Sequence, residues 1–237
     1  MRLDIYLKEI IGSRAKAQEQ ILQGKVRING KVIKKASYNV KDSYKVEIER
    51  GIRFVSRAAL KLLHAKEEFG IDFREKTVLD VGSSTGGFSQ VALLEGVKKI
   101  YAVDIGTNQM HESLRDEPRI AVFENCDARL LNQKQIKEKA DIILVDLSFI
   151  STLKVLPNLI QFLKEDGEII WLFKPQFELG KEKLKKGIAK SEADIEECLT
   201  TLNKKLAKIN LKLVSKTKSP IKGKKGNQEY LLLLKKS

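Results

Sequence analysis

Asp80, Gly82, Ser84 and Gly86 stand in the run Thr77-Val-Leu-Asp-Val-Gly-Ser-Ser-Thr-Gly-Gly-Phe88, where a short apolar stretch meets an acid and then a glycine-rich turn. A turn of this kind, between a strand and a helix N-terminus, is where an open α/β sheet receives a nucleotide-like ligand. Glycine lets the backbone approach that ligand closely. A Walker-type phosphate loop requires Lys directly after its second glycine. Gly82 and Gly87 have the right separation, but Phe88 stands in the Lys position. A dinucleotide loop requires glycine at its middle position, which Ser84 occupies. An S-adenosylmethionine loop, with an acid at the strand end and an open turn for the amino-acid part of the cofactor, fits best. It predicts contacts from Asp80, Gly82, Ser83, Ser84, Gly86, Gly87 and Phe88. A second run, Lys99-Ile-Tyr-Ala-Val-Asp104, ends in an acid 24 residues after Asp80, placed to hydrogen-bond the ribose hydroxyls of an adenosine.

Four further charged residues occupy apolar or strand-end settings. Lys61 lies within Ser56-Arg-Ala-Ala-Leu-Lys-Leu-Leu63, Asp146 ends Ile142-Ile-Leu-Val-Asp146, Lys174 ends Ile169-Ile-Trp-Leu-Phe-Lys174, and Glu229 opens the last apolar run. An ammonium beside a reacting oxygen stabilises developing negative charge, and a carboxylate can hold that ammonium or accept a proton. The two cysteines, Cys126 and Cys198, and the two histidines, His64 and His111, share no ligand-like spacing, so no metal site is predicted. Two isolated cysteines also point to a reducing compartment.

Regular elements must carry these residues. From Thr77 onward strands are predicted at 77–81, 99–103, 120–124, 141–146, 167–174, 211–217 and 228–234, and helices at 87–95, 108–116, 132–138, 152–163 and 191–209. The alternation predicts an α/β domain with a mostly parallel, seven-stranded sheet. A helix from Arg57 to Phe69, capped by Ser56, precedes it. The helix from Ser191 carries Ile195, Leu199, Leu202, Leu206 and Ile209 as a core-facing stripe. Residues 1–50 predict a separate small α+β module. Its helices run Leu3 to Ile10 and Arg14 to Leu22, broken by Gly12 and capped by Ser13. A hairpin then turns at Asn29-Gly30 and a strand closes the module from Tyr44 to Ile48. Residues 51–57 read as a basic linker and 58–237 as the larger domain.

Charge bears on the partner. The 237 residues carry a net +14; residues 1–57 hold 14 Lys/Arg against 6 Asp/Glu, and nine Lys without one acid fall between Cys198 and Gln228. Basic regions at both ends predict a polyanionic partner such as RNA, with a Lys-rich compositional bias as the competing explanation. No apolar run approaches the roughly 20 residues needed to cross a bilayer, and the first residues lack an apolar signal core. A cytoplasmic protein without a membrane partner is predicted.

The module at residues 1–50 resembles the small RNA-binding domain named after ribosomal protein S-four, through Arg2-Leu-Asp4, Ser13-Arg14 with Ala15 and Ala17, and Gly24-Lys-Val-Arg-Ile-Asn-Gly-Lys31. The resemblance implies that Arg14, Lys16, Lys25, Arg27 and Lys31 are offered to folded RNA. Arg2 is a further candidate, with a local salt bridge to Asp4 as the alternative. In the larger domain Lys61, Asp146, Lys174 and Glu229, in this order, match the catalytic tetrad of the FtsJ-like ribose 2′-O-methyltransferases. Asp80–Phe88, Asp146-Leu-Ser-Phe-Ile-Ser151, Phe173-Lys-Pro-Gln-Phe-Glu178 and Pro220-Ile-Lys-Gly-Lys-Lys-Gly-Asn227 resemble the TlyA family, also called hemolysin A, in which both domains are joined.

That resemblance covers almost the whole chain. It implies a Rossmann-like class I methyltransferase domain, S-adenosylmethionine as cofactor, and methyl transfer to a cytidine ribose 2′-hydroxyl in ribosomal RNA (16S and/or 23S). Lys174 would then stabilise alkoxide charge, Asp146 would hold Lys174 or take the proton, and Lys61 and Glu229 would orient the pair and the substrate. Asp104 should meet the adenosine ribose, Asp127 the adenine amino group, and Ile105 and Ala128 the adenine ring. Two readings from other classes stand beside this one: a membrane-active hemolysin, and a non-catalytic ribosome-binding protein.

Overall fold

The computed structural model describes residues 1–41, 43–48 and 54–237. The chain divides into two compact units, Met1–Arg53 and Phe54–Ser237. Of the stretch read as a linker, residues 51–53 lie outside the described residues, and Phe54 and Val55 pack against an apolar cluster of the second unit.

In the first unit α1 (Leu3–Ile11) stops at Gly12, whose φ of +78° suits glycine. α2 (Arg14–Leu22) begins at Ser13, whose hydroxyl accepts the Lys16 amide at 3.5 Å. β1 (Val26–Ile28) and β2 (Lys31–Val32) form a hairpin. Its turn residues Asn29 and Gly30 both have positive φ, the geometry that matches the twist of the flanking strands. β3 (Val46–Ile48) pairs antiparallel with β1 on its other edge. Leu3, Leu7, Ala17, Ile21, Val26, Ile28 and Val40 form a small core.

One charged residue enters that core. Asp4 is fully buried and accepts hydrogen bonds from Arg2 at 3.0 and 3.1 Å, Arg14 at 3.0 Å and Gln18 at 2.9 Å. The bond from Arg2 does most to hold its carboxyl well below the usual carboxylate range, with Gln18 and Arg14 assisting. The pair that sequence alone presents as a weak surface contact is therefore one edge of a buried cross-link between α1 and α2. Removing the acid strands Gln18 and frees both helices at that point. In Asp4→Ala, amide exchange across α1 and α2 should accelerate while residues 54–237 keep wild-type protection. Unaltered exchange in both helices would show that the cross-link contributes nothing.

The second unit opens with α3 (Ala58–Phe69). β4 (Thr77–Val81), α4 (Gly87–Leu94), β5 (Lys99–Val103), the short α5 (Glu112–Arg115), β6 (Ile120–Phe123) and β7 (Ala140–Val145) follow. After α6 (Leu156–Leu159) come β8 (Leu163–Phe173), α7 (Pro175–Glu178), a small hairpin of β9 (Leu184–Lys185) and β10 (Ile188–Ala189), and α8 (Glu192–Ala207). β11 (Leu211–Lys218) and β12 (Tyr230–Lys236) end the unit. The seven-stranded order is β11-β12-β8-β7-β4-β5-β6. β4 to β8 run parallel, and β12 enters antiparallel between β8 and β11.

Strand alternation sends Leu79, Ile143, Ile169 and Leu232 to one face, which α8 covers with Ile195, Leu199, Leu202 and Leu206. Val78, Ile142, Ile170 and Leu231 reach the other face, under Leu62 of α3 and Val91 of α4. With both faces covered, the central strands are apolar almost throughout.

Some predicted helices do not form as such. Over 132–138 a single turn closes when the Gln135 and Ile136 amides bond to Asn132 O, and the Asn132 side chain takes the Lys134 amide; side-chain bonds of this type compete with helix propagation. The stretch 152–163 is split into α6 and flanking 3-10 turns around Pro157, which lacks an N–H to donate. The helix predicted from 108 starts late because Glu124 accepts the amides of Asn108, Gln109 and Met110.

Candidate active site

β4 and β7 are neighbours, yet the chain visits β5 and β6 between them. At such a reversal the loops leaving adjacent strands diverge and open a crevice beyond the carboxyl ends. The glycine-rich loop leaves β4 there, Asp104 leaves β5, Asp146 leaves β7 and Lys174 leaves β8. Glu229 reaches the same edge because β12 runs the opposite way, its first residue Tyr230 pairing with Phe173. Lys61 projects from α3.

Lys61, Asp146, Lys174 and Glu229 line one cavity of about 670 Å³. Lys61 Nζ donates to Glu229 Oε2 at 2.5 Å, and both residues are buried. Gly223 makes room for the pair, since a Cβ there would lie 2.5 Å from Glu229 Oε1. Lys174 Nζ lies 2.5 Å from Asp146 Oδ1 and donates to Ser148 Oγ at 2.8 Å. Asp146 Oδ1 is itself buried, and the Lys174 ammonium is the cation beside it. An ammonium carries three donors, and Ser148 uses one.

A second cavity, of about 580 Å³, is lined by Asp104, Ile105, Gln109, Asp127, Ala128 and Arg129 among others, and shares Gly82, Ser84, Asp146, Ser148 and Phe149 with the first. Asp104 accepts the Ser84 amide on Oδ2 at 2.8 Å and the Gly106 amide on Oδ1 at 2.7 Å. These bonds hold the loop in a conformation where Ser84 has φ +46°. Each Asp104 oxygen retains acceptor capacity. Gly82, at φ +82°, passes so close to β7 that a Cβ would lie 2.5 Å from the Asp146 carbonyl oxygen.

The remaining candidate residues are distributed unequally. Ser83, Gly87 and Phe88 line the first cavity, and Ile105 and Ala128 the second. Asp127 is also at the second cavity, but Arg129 grips both its oxygens at 2.5–3.0 Å. That grip holds its carboxyl below the usual range. Gly86 lines neither cavity; a Cβ there would meet Met110 Sδ at 2.5 Å. In the first unit Lys16, Arg27 and Lys31 are exposed, Lys25 is half-buried, and Arg2 and Arg14 are tied to Asp4. Ser148, Phe149, Phe177 and Glu178 belong to the site's walls or supports without standing out by residue type. The only signal was their place in the strings around Asp146 and Lys174.

Asp80 also lines neither cavity. It is completely buried beneath the loop, with the Ser89 hydroxyl donating to Oδ2 at 2.7 Å and no donor at Oδ1. Burial pushes its carboxyl up to about 7, against the Ser89 hydrogen bond and with help from the Asp146 charge. Folding therefore favours the protonated acid. This contribution is complete below the unfolded value near ~4 and is lost as pH rises through the folded value. Between pH 5 and pH 8 the wild type should lose roughly 2 kcal/mol of unfolding free energy relative to Asp80→Asn. Denaturant melts at both pH values measure this; stabilities that move in parallel would refute it.

The arrangement has relatives. Residues 54–236 match the FtsJ-like methyltransferase model and residues 1–46 the S4 domain model. Hemolysin A of Brachyspira hyodysenteriae is 39% identical, over 98% of both chains. The 23S rRNA (cytidine-2′-O)-methyltransferase TlyA of Campylobacter jejuni is 40% identical, over 97% of both. A solved structure from Streptococcus thermophilus, described as a hemolysin candidate, superposes with a TM-score of 0.76 at 31% identity, covering 100% of this chain and 88% of that one. The chain belongs to the TlyA, or hemolysin A, family, in which an FtsJ-like methyltransferase domain follows an S4 domain.

Proposed function

We propose that this protein transfers a methyl group from S-adenosylmethionine to the ribose 2′-hydroxyl of a cytidine in ribosomal RNA, acting on ribosomal subunits in the cytoplasm. The observation that carries the proposal is the pair of ammonium–carboxylate contacts, Lys61–Glu229 and Lys174–Asp146, in a cavity that adjoins the one headed by Asp104. The name of the Campylobacter relative describes the same reaction.

The second cavity fits the cofactor. Asp104 has acceptor capacity for two ribose hydroxyls, Ile105 and Ala128 offer apolar walls to an adenine, and Gly82 lets the loop after β4 pack directly against the Asp146 backbone. Arg129 occupies both Asp127 oxygens on one side, so Asp127 would meet an adenine amino group only through its remaining lone pairs. S-adenosylmethionine, when bound, supplies an electrophilic methyl group.

The chain's own residues prepare the acceptor. A ribose hydroxyl is a poor nucleophile and must lose its proton or be held in line. Lys174, steadied by Asp146 and Ser148, offers an ammonium that stabilises the alkoxide as it forms. Asp146, paired with the Lys174 ammonium through Oδ1, can take the proton. Lys61 and Glu229 neutralise one another and orient the substrate beside this pair. Lys16, Arg27 and Lys31 of the S4 domain provide cations for RNA phosphates. Among the described residues no helix is long and apolar enough to cross a membrane, and membrane insertion by a helix has no part in the proposal.

The cofactor assignment has a direct measure. Asp104→Ala should weaken S-adenosylmethionine binding by at least ~1 kcal/mol through lost hydrogen bonds, as read by calorimetry. Equal wild-type affinity for NAD or ATP would contradict the assignment.

For the chemical step, Lys174→Ala should fold, bind cofactor and methylate no ribosomal RNA in single-turnover assays. Lys174→Arg should be inactive as well, because a planar fork does not replace a compact ammonium. A folded Lys174→Ala protein working at the wild-type rate would defeat the mechanism.

A further inference from the structure

The segments that leave β7 and β8 carry Asp146 and Lys174, and they meet again beyond that ion pair. Lys174 donates to Ser148 Oγ at 2.8 Å. The Phe149 and Phe177 rings lie 5.4 Å apart and are tilted by 53°. At the far end Glu178, the last residue of α7, accepts the Ser151 hydroxyl on Oε2 at 2.6 Å and the Thr152 amide on Oε1 at 2.7 Å. Thr152 is 2% exposed, so without Glu178 its amide would lose its partner away from water. Burial raises the Glu178 carboxyl above its ordinary value, against both hydrogen bonds.

Between the ion pair and this clasp stands Phe149, 92% exposed and at φ +67°. A bulky residue adopts that conformation only where its surroundings impose it. Glu178 itself lines neither cavity. Its carboxylate grips the far end of the loop 147–152, and the two groups that hold the Lys174 ammonium, Asp146 and Ser148, lie just before that loop and near its start.

We infer that Glu178 is a positioning residue for the methyl transfer proposed above, anchoring the loop after β7 so that Asp146 and Ser148 hold the Lys174 ammonium at the acceptor oxygen. The inference rests on that functional reading. A lysine head on a flexible four-carbon stem has no preferred place of its own, and a displacement near 1 Å at a reacting centre can cost about 10²-fold in rate.

The test uses the full chain with Glu178→Ala, Glu178→Gln and Ser151→Ala. Glutamine keeps an acceptor for the Thr152 amide and can still bond the Ser151 hydroxyl. Glu178→Ala should lower kcat on ribosomal RNA by about 10- to 100-fold, while KM for RNA and the cofactor Kd stay within about 2-fold. Glu178→Gln should return most of the rate. Ser151→Ala, which removes one bond of the two, should lower kcat in the same direction and decides the matter if Glu178→Ala fails to fold. Amide exchange at Thr152 should accelerate in Glu178→Ala and remain near wild type in Glu178→Gln. A wild-type kcat in folded Glu178→Ala, glutamine as impaired as alanine, or unchanged exchange at Thr152 would overturn the inference. A wild-type protein that methylates no ribosomal RNA would overturn the functional reading and this role with it; the exchange measurement then separates that failure from the absence of the clasp.

Discussion

A lysine ammonium taken out of water needs a carboxylate beside it, because the desolvation cost of an unpaired ion amounts to several kcal/mol. The second unit places two such ammoniums in one crevice, each 2.5 Å from an acid. Lys61 and Glu229 are 168 residues apart, and their contact forms only when α3 and the start of β12 are both seated. Losing either partner would leave a buried charge, which destabilises far more than the intact pair stabilises. The rest of the crevice is arranged around these charges. Gly223 yields space to Glu229, and Gly82 lets the loop after β4 pass close to Asp146.

Sheet topology meets this demand. Parallel β4, β5, β7 and β8 deliver their trailing residues to one edge. The reversal between β4 and β7 keeps those residues from closing over one another. β12 contributes in the opposite sense, since an antiparallel strand brings its leading residue to that edge. These five strands and α3 thus bring polar residues to the crevice, while the apolar layers on both faces of the sheet fix their spacing.

A related economy operates in the first unit. Among the described residues its core holds seven buried apolar side chains, a small hydrophobic contribution for an independent fold. Asp4 supplements it by joining α1 and α2 through three donor side chains. Arg2 and Arg14 each spend part of their hydrogen-bonding capacity on that structural bond, while Lys16, Arg27 and Lys31 are exposed on the surface.

Local features were readable from the chain because their causes are local. Apolar alternation marks β4 and β5, Asn29-Gly30 dictates a hairpin turn, and Gly82 announces a backbone conformation that other residues disfavour. The α/β class and the acids at the strand ends follow from the same short-range patterns. The helices predicted at 132–138 and 152–163 failed where Asn132 and Pro157 redirected backbone bonding, an effect visible only residue by residue. What spacing could not reveal is where equivalent residues face. Asp80, Asp104 and Asp127 are all acids in or just beyond strands, yet Asp80 is sealed beneath the loop with Ser89, Asp104 opens to a cavity, and Asp127 is held by Arg129. Ser148 and Glu178 look like ordinary polar residues until the loops after β7 and β8 come together. Torsional preference and periodicity act between near neighbours and are written in the order of residues. Burial, ion pairing and the choice of hydrogen-bond partner depend on groups tens to hundreds of residues away, so only the folded chain settles them.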